Sequence, residues 1–260
     1  MNLKTRSILA GALALSAVVS INVHAETAAA PDRTAALADA TAGRWEQAEP
    51  ALTALAAAEP ADAAVCAQLA QRRLAQRRSK EAVELLERAV LAAPTRPDLQ
   101  SQLGVALSQR IGEVSFIHQA VIAGQMRSAF EKSVALDPNH VPGLIGLSRY
   151  FMNSPAIAGG SLEKADEYAT QVEKLDPFNG ALSHGMIRAR AEKWAEAADF
   201  YRKALALHGQ HGWLHAMLGS ALASAGQKDE ARTAFEAALK LQPDNTQARD
   251  GLAALAVPAK

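Results

Sequence analysis

Apolar and small residues recur along this chain with a spacing of 34 positions. The run Trp213, Gly219, Leu222, Ala231, Phe235, Ala238 and Pro243 has its counterpart one period upstream in Gly185, Ala197, Tyr201 and Ala204. Gly219 and Leu222, and Ala231, Phe235 and Ala238, are three or four apart, as on one face of a helix. Val, Ile and Thr never gather into alternating runs, so the pattern predicts no strands. A fixed period of this length predicts stacked helical units sharing one continuous core, because a single unit cannot bury its own apolar face.

About six copies can be placed. The first, 29–62, carries Ala36, Gly43, Trp45, Ala48, Leu52 and Pro60; the second, 63–96, carries Ala70, Ala82, Leu86, Ala89 and Pro94. The copies at 178–211 and 212–245 are the clearest, and 246–256 reads as a capping half-unit with Gly251 in the glycine slot. Small residues such as Ala48, Ala82, Ala197 and Ala231 let two helices approach closely, and Phe130, Tyr201 and Phe235 fill the space between them. Pro94, Pro138, Pro177 and Pro243 end the second helix of a unit, since proline has no N–H to donate. Asp229, Glu230 and Glu192 place negative charge at or near helix starts, where the dipole favours it. This arrangement resembles the tetratricopeptide repeat. The resemblance covers nearly all of residues 26–260 and implies an all-α, right-handed superhelical solenoid of about six helix–turn–helix units plus a C-terminal capping helix.

Two adjacent copies break the period. In 97–138, Gly104 holds its place but Phe130 and Pro138 arrive about ten residues late. The extra stretch 111–125 contains Val114, Ile117 and Val121 at helical spacing, so the second helix is expected to begin near Ser115 or Phe116. Copy 139–177 has about seven extra residues around Asn153–Gly160, followed by Ser161 as a helix N-cap. Both insertions fall between the two helices of a unit and hence on one edge of the stack. Either they pack on each other, the favoured reading, or Phe116, Ile117 and Val121 meet Pro155 and Ile157 in an exposed apolar ridge. This block also resembles exported bacterial tetratricopeptide proteins of unassigned activity.

The N-terminus is read separately. Lys4 and Arg6, an uncharged apolar run from Ile8 to Ile21 and the small residues of Val23-His24-Ala25 predict a secretory signal, residues 1–25, cleaved after Ala25. The run is too short to span a bilayer. An exported protein follows, periplasmic or secreted, with no stable membrane insertion after cleavage.

Composition adds exclusions. Hydrophobic residues make up 49% of the chain but aromatics only 5%. Alanine supplies much of the difference, which suits helices. Lys and Arg number 27, as do Asp and Glu; that balance argues against nucleic acid as a partner. The basic cluster Arg72, Arg73, Arg77, Arg78 and Lys80 reads as a solvated helix end. Cys66 is the only cysteine and falls at an apolar helix position, so it reads as a buried small hydrophobe rather than a reactive thiol.

Candidate chemistry is sparse. No nucleophile motif, metal signature or phosphate-binding loop is present, so the chain is expected to be non-enzymatic and to need no cofactor. His208, His211 and His215 are the only metal candidates, and they lack a nearby Cys, Asp or Glu to complete a site. The resemblance places a ligand in the concave groove of the first helices, where Tyr150, Phe151, Met186, Arg190 and Trp213 fall beside Ser101, Leu147 and other apolar residues. Together with Phe116, Ile117 and Ile157 of the insertions, these are the candidate partner-binding residues. A mostly apolar groove with one cation suits an apolar helix or extended segment of another protein. The expected role is a scaffold or adaptor in the cell envelope. The alternatives are a ligand- or metal-binding solenoid and an accessory subunit of an envelope enzyme complex.

Overall fold

A computed structural model of the protein describes residues 31–208 and 211–256, the side chain of Phe116 excepted. The predicted leader lies outside the described residues. Thirteen α-helices are present among the described residues, with no strand. The first two hairpins pair α1 (Arg33–Thr41) with α2 (Trp45–Ala58) and α3 (Ala63–Ala75) with α4 (Ser79–Ala92). Next come α5 (Pro97–Arg110) with α6 (Phe116–Leu136) and α7 (Val141–Asn153) with α8 (Leu162–Leu175). The last two are α9 (Pro177–Arg190) with α10 (Trp194–Leu207) and α11 (Gly212–Ser224) with α12 (Lys228–Leu241), after which α13 (Thr246–Ala256) packs on both α11 and α12.

Two local devices repeat with the period. Three of the six first helices, α1, α3 and α9, start on side-chain caps: Asp32 accepts from the Thr34 and Ala35 amides, Asp62 from those of Ala64 and Val65, and Asp176 from that of Asn179. Each regular unit then turns through one left-handed residue, Gly43 (φ 75°), Arg77 (φ 59°), Glu192 (φ 59°) or Gly226 (φ 82°). Glu192 is thus the strained corner of its hairpin and not a first-turn residue of α10, which starts at Trp194. Glycine occupies such a corner without the Cβ clash that Arg77 and Glu192 bear.

In units three, five and six the core sets an aromatic ring against glycine, where units one and two use Leu52 and Leu86. Phe235 on α12 is buried and lies where a Cβ on Gly219 of α11 would be 2.6 Å from its Cδ1; a Cβ on Gly251 of α13 would come closer still. Phe130 on α6 is held in the same way between Gly104 of α5 and Gly146 of α7, and Tyr201 on α10 sits over Gly185 of α9. The missing side chain lets each ring reach the neighbouring backbone, which is why glycine and an aromatic recur together. Burial pushes the Tyr201 hydroxyl up to about 12.

The core runs in two stretches that meet at α9, where Ile187 belongs to the N-terminal stretch and Ala181 and Leu182 to the C-terminal one. Met186 packs against both. Polar groups bind this seam. Buried His184 donates through Nδ1 to Asp166 Oδ1 at 2.7 Å and stacks on Phe200. Arg188 grips both Asp166 oxygens at 3.0 and 3.1 Å. Burial acts to raise the Asp166 carboxyl, but the hydrogen bonds from Arg188 and His184 outweigh it and hold it below the ordinary range.

Candidate protein-interaction site

The two irregular units replace the left-handed corner with longer connections, and this opens the stack between them. α5 runs into a 3-10 turn, Ile111–Glu113, before α6 begins at Phe116. α6 has 21 residues, where each of the other second helices has 14. Its first half therefore extends beyond the usual hairpin. After α7, a loop passes through Pro155 and a 3-10 turn, Ala156–Ala158, then reverses at Gly159 (φ 84°). Three contacts secure it: the Tyr150 hydroxyl donates to the Ala158 carbonyl at 2.9 Å, the Gly160 amide to that of Pro155 at 3.0 Å, and the Ser161 amide to that of Phe151 at 2.9 Å.

Between α6, the end of α5, α7 and this loop lies a cleft of about 920 Å³. Its walls are chiefly apolar, formed by Ala123 and Met126 of α6, Val105 of α5, Ile145 of α7 and Pro155 and Ile157 of the loop. Arg149 is the one charged side chain among the described lining residues. It is exposed and makes no ion pair among the described residues. Arg127, close by, is engaged: it donates to Glu131 at 2.7 Å and lies over the Phe151 ring. Hydrogen bonding to Glu131 raises its guanidinium further above the usual arginine range.

Trp213 of α11 apart, the large exposed apolar side chains divide into two groups. Leu91, Leu136, Leu175, Leu207 and Leu241 stand in the last turns of second helices and so recur with the repeat. Val105, Ile117, Val121 and Ile157 do not recur and all belong to units three and four. Ile117 is 79% exposed and Ile157 99%. Ile117 and Val121 are the i−3 neighbours of the cleft residues Ala120 and Gly124, so they continue the apolar surface along the flank of α6.

The structure separates the predicted contact residues. Ile157 lies on the cleft rim with Pro155, whereas Ile117 and Val121 are on the adjoining flank. The insertions thus face each other across a cavity instead of forming a ridge or closing on each other. Tyr150 is buried, contributing to the cleft wall and anchoring the loop. Phe151 is a core residue, stacked on Tyr168 at 5.7 Å, and is corrected as a contact residue. Ser101 and Leu147 are likewise buried, Ser101 bonding His140 Nε2 at 3.0 Å. Met186 is half-buried at the core seam, while Arg190 and Trp213 are exposed. The overlooked residues are Arg149 and Gly124. For Gly124 the sequence signal is the stretch of α6, residues 116–126, that holds no Lys, Arg, Asp or Glu.

The histidines are built into an aromatic group. The ring centroids of His208 and His211 lie 5.1 and 5.7 Å from that of Phe178, and His211 is 5.5 Å from Trp213. His215 is a half-buried residue of α11. Among the described residues no group of three or more His, Cys, Asp or Glu side chains is placed to hold a metal ion. The basic cluster is also not simply solvated. Arg72 and Arg73 both donate to Glu49 of α2, and Arg78 to Glu81. Hydrogen bonds from Arg72 and Gln76 hold the Glu49 carboxyl down at about 2. Cys66 is fully buried, and burial raises its thiol above the usual value.

Comparison with known proteins agrees with this architecture. The family model for the tetratricopeptide repeat matches residues 39–104 and 188–255, together more than half of the 260 residues. The chain is similar to a peroxisomal targeting signal receptor of Eremothecium gossypii, 24% identical over 204 residues, an alignment covering 66% of this chain and 34% of the receptor. It therefore spans about a third of that curated relative. Among solved structures it is similar to TTC0263, a thermophilic repeat protein of Thermus thermophilus. The TM-score is 0.60 at 21% identity, covering 73% of this chain and 96% of that one. It is also similar to PilW, with a TM-score of 0.68 at 12% identity, covering 84% and 96% of the two chains. The first matched segment ends within α5 and the second begins within α9, so most of the two irregular units lies outside both. The chain belongs to the tetratricopeptide-repeat family.

Proposed function

We propose that the protein is an exported, non-enzymatic scaffold or adaptor of the bacterial cell envelope that binds another protein at its irregular units. Repeats of this family form scaffolds for binding other proteins, since a stack of hairpins exposes a long surface for a partner chain. The observation that carries the reading is the cleft between units three and four. There the large exposed apolar side chains that do not follow the repeat, Trp213 excepted, are gathered. Arg190 and Trp213 extend the candidate contact surface onto the regular units.

Export and periplasmic residence rest on the N-terminal pattern of Lys4, Arg6, the apolar run and Ala25. PilW is described as a widely conserved type IV pilus biogenesis factor; the likeness to it concerns fold alone, and the partner here is left to experiment. Capture of the protein from envelope extract after cross-linking tests the reading. One protein recovered in stoichiometric amount supports it. Recovery of none, with the chain retained in the cytoplasm, overturns it.

A further inference from the structure

We propose that the cleft between α6 and α7 receives an amphipathic helix of the partner, with apolar side chains in the cavity and a carboxylate on Arg149. The proposal rests on the scaffold reading and names what the scaffold holds.

Three observations select this occupant. The cavity, about 920 Å³, is at the upper end of the range of ligand sites, and its apolar surface does not stop at the rim. It continues onto Ile117 and Val121 along the flank of α6. A small amphiphile would fill the cavity and leave that flank in water, whereas a helix about 10 Å across covers both.

Charge gives the second constraint. α6 has no charged residue from 116 to 126, and Arg149 is exposed on the facing wall without an ion pair among the described residues. A carboxylate at the edge of the incoming apolar face would pair with it, and a lysine there would be repelled.

The third observation disfavours a second copy of this chain. Among the described residues the one helix stretch on which a copy would offer several large exposed apolar side chains is its own α6 segment with Ile117 and Val121, and residues 116–126 there hold no carboxylate for Arg149.

The site also has a natural plug position. Gly124 lies on the cleft wall, and a Cβ added there meets nothing within 4 Å. Gly124→Phe therefore fills the cavity without disturbing the hairpin, and an unchanged thermal unfolding curve verifies that it folds. Ala123→Trp is the second plug if that variant is unstable.

The test uses a phage-displayed library of single helices randomised at i, i+3, i+4 and i+7, selected on the protein with Gly124→Phe as counter-target. The expected result is enrichment of helices with apolar residues at i and i+4 and a flanking Asp or Glu. Their binding falls about tenfold or more in Gly124→Phe, equivalent to about 1.4 kcal/mol, and Arg149→Glu shifts preference to Lys or Arg at the flank. Equal binding to the plugged variant, absence of enrichment, or indifference to Arg149→Glu overturns the proposal. So does a fluorescent fatty acid that enters the wild-type cleft alone while no helix is selected, which reassigns it to lipid. Self-association abolished by Gly124→Phe reassigns it to a second copy. An envelope protein captured equally by wild type and Gly124→Phe removes the cleft but leaves the scaffold reading standing.

Discussion

Replacing Gly219 with alanine should destabilise the protein even though alanine is the better helix former. The new Cβ would lie 2.6 and 2.7 Å from Cδ1 and Cε1 of Phe235. That ring has no room to retreat, because it is 1% exposed and Gly251 of α13 is pressed against its far side. Overpacking of this kind costs about 1–3 kcal/mol. The gain in helix propensity offsets about 1 kcal/mol of it. With the ring unable to retreat the cost lies in the upper half of that range, about 2–3 kcal/mol, so a net loss of about 1–2 kcal/mol follows, or roughly 2–8 °C in Tm for a chain of this size. Hydrogen exchange should locate the loss in α11–α13, since a repeat stack opens locally before it unfolds globally. Gly124→Ala is the internal control: with nothing within 4 Å of its Cβ it should be stabilised by about 0.5–1 kcal/mol. If Gly219→Ala proves as stable as the wild type, the ring-on-glycine account of the repeat is wrong.

Three further outcomes follow from the same geometry. Arg77→Gly and Glu192→Gly should each raise the unfolding midpoint by relieving a left-handed corner worth about 1 kcal/mol, while Gly43→Ala should lower it; calorimetry of the three variants decides. Glu49 has its carboxyl held at about 2, below its ordinary 4.5, so its contribution is complete above pH 4.5 and lost as pH falls toward 2. With the pair partly exposed to solvent, that contribution is about 1–2 kcal/mol, and urea melts should show Glu49→Gln losing less stability than wild type between pH 5 and 2. Cys66 should resist a thiol reagent in the native protein and react fully in denaturant; rapid native labelling would contradict its burial.

The hairpins were legible because the residues that build them are local and periodic. Gly219 and Phe235, or Gly185 and Tyr201, mark close approach within one unit, and that relation repeats one period apart. Which face of a helix stays open is not local. Phe151 sits where a first helix of a regular unit would look into the groove, but Tyr168 of α8 and Arg127 of the lengthened α6 cover it. Ion pairing was hidden for the same reason: Glu49 lies 23 residues from Arg72 and meets it only across the α2–α3 junction. The insertions could be located from the broken period, whereas the cavity between them depends on how far α6 extends past α5. The charge-free stretch 116–126 was the one advance sign of it.

Whether a partner occupies the cleft between units three and four is the central question. A photo-reactive amino acid placed at Ile157 on the cleft rim, with Leu91 on a regular unit as a similarly exposed control, tests this in living cells. A single covalent adduct from position 157, weakened by Gly124→Phe and absent from position 91, is the predicted result. An adduct from position 91 with none from 157 would contradict it.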